Sequence, residues 1–355
     1  WVSDCFDKVD EIGSLEDTET LASRIQVQLN GLGVSHANIF SPIEDRRLWK
    51  GQGRENGLVV RHIEEKYVVT KVLANSPASR AGLMAGDIVE KFSGEEVYST
   101  SQLNYQSGFI VLRRGQKLVR AFLQPAEIKV DFGPSLRPLN SAVGILEITS
   151  FREAYFDKAK WKKIINQLAS FSIIIIDLRG NGGGNFVSVL RALSPFFCEP
   201  TQIGRLVLPR KDQKVRGYLE DNMDARYQFG LLEKYGAVDL ITYSGYGCFR
   251  GPVTILISFG TASAAEVFTY AFNKRAQSRI WGEPTSGDVL LAVWYFLPFL
   301  PRGFSISVPE AIFLAFDGVN LEAGGVWPHR ILLYRLAEAL RGSDSWIEDA
   351  AKTPF

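Results

Sequence analysis

Two turns in this sequence carry residue types at spacings that could do chemistry. In Ile173-Ile-Ile-Ile-Asp177-Leu-Arg-Gly-Asn181-Gly-Gly-Gly184 a β-branched run leads straight into consecutive glycines. Glycines let the backbone approach a ligand closely and turn its N–H groups toward negative charge. A phosphate-binding loop uses the same device. Here no lysine follows at P-loop spacing and the G-x-G-x-x-G order is missing, which argues against a nucleotide. In Val253-Thr-Ile-Leu-Ile-Ser-Phe-Gly-Thr261-Ala-Ser263-Ala-Ala-Glu266 a second apolar run delivers small residues to the start of a helix. A serine at such a turn exposes its hydroxyl beside a helix N-terminus, where developing negative charge is favoured. Taken alone, Ser263 reads more readily as a helix cap.

These turns need a frame. From about residue 140 the pattern alternates strand and helix: a strand over Val143–Ile148, a helix over 153–169, a buried strand over Ser172–Asp177, a helix opening with Val187–Leu193, a strand over Val253–Ser258 and a helix over Ala264–Asn273. That order predicts an α/β core. Strands over Arg302–Val308 and Ala311–Phe316 and a closing helix over 331–341 complete it. Ahead of the core, Leu21, Ile25, Val27 and Leu29 mark a helix ended by Gly31-Leu-Gly33, and the Gly-rich stretch Lys50–Gly57 reads as a boundary. Short β-like runs follow at Leu58–Val60, Tyr67–Val72, Ile88–Phe92, Ile110–Leu112 and Leu118–Leu123. The predicted units are 1–52 (helical), 53–127 (small β domain), 128–345 (α/β core) and 346–355 (tail).

The β block resembles a PDZ domain of bacterial envelope proteases through Gly57-Leu-Val-Val60, Ser76-Pro-Ala78, Ala81-Gly-Leu83 and Gly86-Asp-Ile88. Such a module adds a peptide as an extra strand and holds its terminal carboxylate. The resemblance assigns peptide binding to Gly57, Leu58 and Val59, with Leu83 lining a side-chain pocket. With Gly282-Glu-Pro-Thr285-Ser-Gly287 added, the two turns resemble the core of the C-terminal-processing serine peptidases, which implies a crotonase-like α/β core. By this resemblance Ser263 is the nucleophile, and the N–H of Ala264 with one from Gly183 or Gly184 forms the oxyanion hole. The Ser–Lys members carry a lysine right after the Gly-Glu-x-Thr-x-Gly motif, where this chain has Asp288. Lys274 is no substitute, being eleven residues along the same helix, about 16 Å away. Lys274 and Asp288 read as an exchanged charge pair, either a structural ion pair or substrate-facing charges. The tricorn-type branch lacks the lysine and uses histidine instead. Val34-Ser35-His36 and Gly318-Val-Asn-Leu-Glu322-Ala-Gly-Gly325 resemble its remaining members, implying a tetrad of Ser35, His36, Ser263 and Glu322. His36 would then be the general base, Ser35 would hold its second ring nitrogen, and Glu322 would orient Ser35 or water.

Composition narrows the alternatives. The chain has 46% hydrophobic and 22% charged residues, as ordinary globular chains do, and its net charge of +1 gives no electrostatic case for nucleic acid or an anionic membrane. The longest apolar stretch, Val289–Leu300, contains a proline, is too short to span a bilayer, and reads as two strands. Three histidines leave no room for a His-rich metal site, and no cofactor is implied. Cys5, Cys198 and Cys248 lack metal-type spacing and read as buried free thiols. The start at Trp1 reads as removal of an upstream segment, by signal-peptide cleavage or by trimming; the family resemblance implies a periplasmic or otherwise exported protein. The expected partners are protein or peptide substrates cleaved near their C-termini; oligomeric state is left open. The competing expectation is a catalytically inactive relative that binds peptides or apolar ligands.

Overall fold

The computed structural model describes residues 18–209, 217–297, 303–353 and 355. Trp1, Cys5, Pro354 and the far end of the Val289–Leu300 stretch lie outside the described residues.

The run Ile174–Ile176 is fully buried, as expected of an interior parallel strand covered on both faces. It lies at the centre of a six-stranded sheet. The strands follow in the order Arg330–Ile331, Ser278–Gly282, Val253–Ile257, Ile173–Asp177, Val143–Glu147 and Ser135–Pro138, all parallel except the last pair. Parallel strands end at a common edge. Asp177 is in register with Leu256, so the glycine turn and the Ser263 turn emerge side by side at the carboxyl ends, where open α/β sheets hold their ligands. The helices Phe186–Phe197 and Ala264–Ala271 leave those turns and pack through Leu190, Leu193, Val267 and Phe268 into the main core.

A second six-stranded sheet brings in the N-terminal segment. Asn38–Phe40 pairs antiparallel with Ser305–Ser307 at one end of the long strand Ser305–Ala315, whose other end pairs with Gln202–Val207. The Ser35-His36 dipeptide is thereby carried to the core. The predicted strands Arg302–Val308 and Ala311–Phe316 are this single strand. Pro309, which has no N–H to give a ladder, is accommodated opposite a register shift in the partner strand Leu291–Phe296. Only one strand is seen in the described part of Val289–Leu300.

The block 58–123 forms its own antiparallel sheet of five strands in sequence order, around a separate core of Val69, Phe92, Leu103, Ile110 and Leu112. The expected boundary is a strand: Gln52–Glu55 pairs with Ala126–Lys129 where the chain enters and leaves this unit. The sheet unit leans on the C-terminal region, where Ile63, Val68 and Ile88 meet Ala339.

Three expectations are corrected. The helix over 153–169 is a short 3-10 turn, Glu153–Tyr155, and then Lys158–Leu168, because Asp157 caps the second piece through the Lys160 N–H at 2.8 Å. Residues 346–355 are no tail: Ser345–Lys352 is a helix, and its Trp346 is fully buried and stacked on Tyr334 at 4.5 Å. Cys198 and Cys248 are a disulfide with Cα atoms 4.6 Å apart. The helix ending at Phe197 meets the loop entering Val253, an approach that a separation of 50 positions conceals in the sequence.

Replacing Trp346 with alanine removes the anchor of the last helix. It should cost about 3–5 kcal/mol of stability, measured by urea or thermal unfolding. A loss under about 1 kcal/mol would mean that this helix is not part of the cooperative core.

Candidate active site

Ser263 stands at the entry to the helix Ala264–Ala271 with φ 57° and ψ −128°, a region that non-glycine residues occupy at a cost of order 1–3 kcal/mol. The surrounding bonds hold it there. Its N–H donates to Glu266 Oε2 at 2.8 Å, and its carbonyl accepts the Glu266 N–H at 2.8 Å. The glycine turn closes over this serine: a Cβ on Gly183 would lie 2.7 Å from Ser263 Cβ and 2.9 Å from the Ala264 nitrogen, so only glycine fits. Of the two glycines that could supply an N–H to the oxyanion, Gly183 already donates its own to Asn181 Oδ1 at 2.9 Å. Among the described residues, no protein acceptor takes the N–H of Gly184 or Ala264.

Glu266, quoted in the motif but given no role from sequence, is completely buried. Its carboxylate accepts from Ser263 N–H, Thr285 Oγ1 (2.5 Å), Gly287 N–H (2.9 Å) and Asp288 N–H (3.0 Å). Burial raises its pKa, and these four bonds oppose the rise. The spacing Ser263-x-x-Glu266, a capping-box signature, is the sequence signal that could have singled it out.

Ser35, His36 and Glu322 form a second cluster. Ser35 Oγ donates to Glu322 Oε2 at 3.0 Å and its N–H to Oε1 at 3.1 Å, while the same Oε2 accepts Val289 N–H at 2.8 Å and Leu290 N–H at 3.2 Å. Ser35 Oγ lies 3.0 Å from His36 Nδ1. A hydroxyl has one proton, and Ser35 gives it to the carboxylate, so it must accept from Nδ1–H. That leaves Nε2 as the basic nitrogen. Burial lowers the His36 pKa, opposed by the negative charges of Asp288 and Glu322, so the ring is a free base at neutral pH. His36 itself sits at φ 62°, with its carbonyl accepting from Ser307 Oγ at 2.5 Å. Among the described residues, no hydrogen bond joins His36 to Ser263.

The two clusters meet in residues 285–290, which Glu266 grips from one side and Glu322 from the other. The remaining expected residues divide. Lys274 donates to the Gln202 carbonyl at 3.0 Å over the Phe316 ring, so it makes no ion pair with Asp288. Leu83, just beyond the helix Pro77–Arg80, is 4% exposed and packs in the core of the small sheet. Gly57, at φ 78°, packs against Ser76. Leu58 lies on the outer strand, but the Asn104 carboxamide already takes both its N–H (2.8 Å) and its carbonyl (2.7 Å). The Val59 carbonyl accepts from Thr70 Oγ1 at 3.2 Å. Among the described residues, no group of three His, Cys, Asp or Glu side chains could hold a metal ion.

Residues 142–332, more than half the chain, match the family model described as Peptidase family S41. The chain belongs to this peptidase family. Its curated relatives include the carboxy-terminal processing protease CtpB of Bacillus subtilis, 24% identical over 254 residues, covering 67% of this chain and 46% of that protein. A probable CtpA-like serine protease of Staphylococcus haemolyticus is 20% identical over 281 residues, covering 77% and 51%. The chain thus spans about half the length of these relatives. Among solved structures, mature CPAF has a TM-score of 0.59 at 14% identity, covering 92% of this chain and 86% of that one. The photosystem II D1 C-terminal processing protease has 0.50 at 19% identity, covering 92% and 85%. These likenesses establish the shared mixed α/β fold.

Glu266→Leu keeps the volume and removes the acceptor of four buried donors. It should cost about 3 kcal/mol or more, read as a lowered urea midpoint with an unchanged m-value. A variant with near-native stability would show that the carboxylate does not hold the turn.

Proposed function

We propose that this chain is a serine peptidase acting through Ser263, with His36 as general base. Ser263 Oγ attacks the scissile carbonyl carbon while His36 Nε2 takes the hydroxyl proton. The oxyanion is met by the N–H groups of Ala264 and Gly184. Collapse expels the amine, which takes the proton from Nε2, and water then hydrolyses the acyl-enzyme by the same relay. Ser35 and Glu322 stabilise the transient imidazolium and keep Nδ1 protonated. The observation carrying this reading is the Glu322–Ser35–His36 chain of hydrogen bonds, anchored to the same residues 285–290 that Glu266 ties to Ser263. The bond from His36 to Ser263 is still open, and such bonds commonly tighten only when substrate binds.

The order of strands and turns in the core, with the site at the carboxyl ends of parallel strands, supports the crotonase-like reading. The small five-stranded sheet supports a PDZ-like module that recruits a chain terminus to its outer strand, Leu58–Ile63. In that role Asn104 must release Leu58 first. The Cys198–Cys248 disulfide favours an oxidising, exported location. No helix among the described residues is long and apolar enough to cross a membrane.

Ser263→Ala should abolish both fluorophosphonate labelling and peptide cleavage, and His36→Ala should lower kcat/KM by about 10³-fold or more. Native turnover in either variant overturns its assigned role. Failure of the unaltered chain to label at all would favour an inactive binding protein.

His36 protonates as pH falls, and burial places its pKa below the usual value of about 6.5. The kcat/KM profile should therefore be flat through neutrality and fall along an acid limb centred below 6.5. A limb centred above 7 would exclude His36 as the group it reports.

Terminus recruitment can be tested on the full chain carrying Ser263→Ala. Adding Asn104→Ala should raise affinity for free-acid peptides about fivefold, corresponding to roughly 1 kcal/mol for freeing the strand edge, with amidated peptides binding more weakly. Equal binding of acid and amide forms would remove recruitment from this block.

A further inference from the structure

The peptidase reading leaves one ionised group at the site unaccounted for. Asp288 stands in the segment between the two clusters. Its N–H donates to the Glu266 oxygen that also holds Ser263 N–H, and the N–H of the next residue donates to the Glu322 oxygen that also holds Ser35 Oγ. Its backbone is therefore pinned midway between the anchor of the serine and the anchor of the histidine. Gly287 and Val289 on either side are buried, while Asp288 itself is exposed. Its charge is felt by His36, whose pKa it raises against the larger effect of burial.

Among the described residues no cation pairs with this carboxylate. Lys274, the candidate from sequence, is bonded to Gln202 O, and His36 is a neutral base near pH 7. A negative charge with no cationic partner among the described residues, on a backbone tied through Glu266 to the N–H of Ser263, attracts a complementary charge from a peptide bound at that serine. We infer that Asp288 is a specificity-determining residue, selecting peptides with lysine or arginine next to the scissile bond. The inference rests on the peptidase reading of Ser263 and His36. It gives the aspartate at this position a role in place of the lysine of the Ser–Lys enzymes: it reads the substrate's charge and moves no proton.

The test uses the full chain and matched internally quenched peptides that differ only in the residue flanking the cleaved bond: lysine, arginine, norleucine or glutamate. The native chain should cleave the lysine and arginine peptides with kcat/KM about tenfold above norleucine, and the advantage should shrink as salt is raised. In Asp288→Asn the lysine-to-norleucine ratio should fall to near one, and in Asp288→Lys glutamate should overtake lysine. Because each ratio is taken within a single variant, a general loss of activity or folded fraction cancels. Cleavage by the native chain without a basic preference overturns this proposal and leaves the peptidase reading standing. The same holds if Asp288→Asn slows all four peptides equally, which would mean that the charge acts only on His36. A chain that neither labels with fluorophosphonate nor cleaves any of the peptides overturns both.

Discussion

Two carboxylates gripping one short segment are the constraint on which this site depends. Glu266 bonds Thr285, Gly287 and Asp288 while holding the N–H of Ser263, and Glu322 bonds Val289 and Leu290 while holding Ser35. A carboxylate withdrawn from water is costly unless its lone pairs are filled; Glu266 is fully buried and Glu322 half-buried, and each is filled by donors from parts of the chain far apart in sequence. Losing a donor from one element would leave charge unsatisfied at the centre of the site. The penalty therefore couples the strained turn at Ser263 to the N-terminal Ser35-His36 pair without a direct bond between them.

The sheets make that coupling possible. Parallel strands deliver the glycine turn and the serine turn to the same edge, where Gly183 can lie against Ser263 only because it has no side chain. The second sheet performs a longer reach. Asn38–Phe40 joins the strand Ser305–Ala315, so that a segment from the start of the described chain becomes a wall of a site built from its second half. His36 then follows from backbone pairing, and its tautomer follows from the single proton on Ser35.

The small sheet is built on different terms. It has its own core and is tied to the rest through a two-stranded entry ribbon and the contact with Ala339. Its outer strand presents Leu58 with both backbone groups occupied by Asn104, a side-chain amide doing what a peptide strand would do. At Leu58 the edge is thereby satisfied within the chain, which hinders pairing with other molecules at that position.

The strand–turn–helix units, the place of Ser263 at a strand-to-helix turn and the order of the small β block were legible in the sequence, because each depends on residues within about a dozen positions of one another; the strain at Ser263 was not. The pairing of Ser35-His36 with Glu322 was legible only through family resemblance, since 287 residues separate the bonded partners Ser35 and Glu322 and no periodicity spans that distance. What the tertiary structure alone decided was the fate of groups whose partners lie on distant elements. Cys198 found Cys248, Lys274 turned to Gln202, Leu83 went into a core, Trp346 stacked on Tyr334, and Asn104 took the Leu58 edge. Local spacing determines which backbone conformations are cheap. Which buried donor meets which acceptor is settled only when the sheets close, because the cost of an unmet group is felt only once water has been excluded.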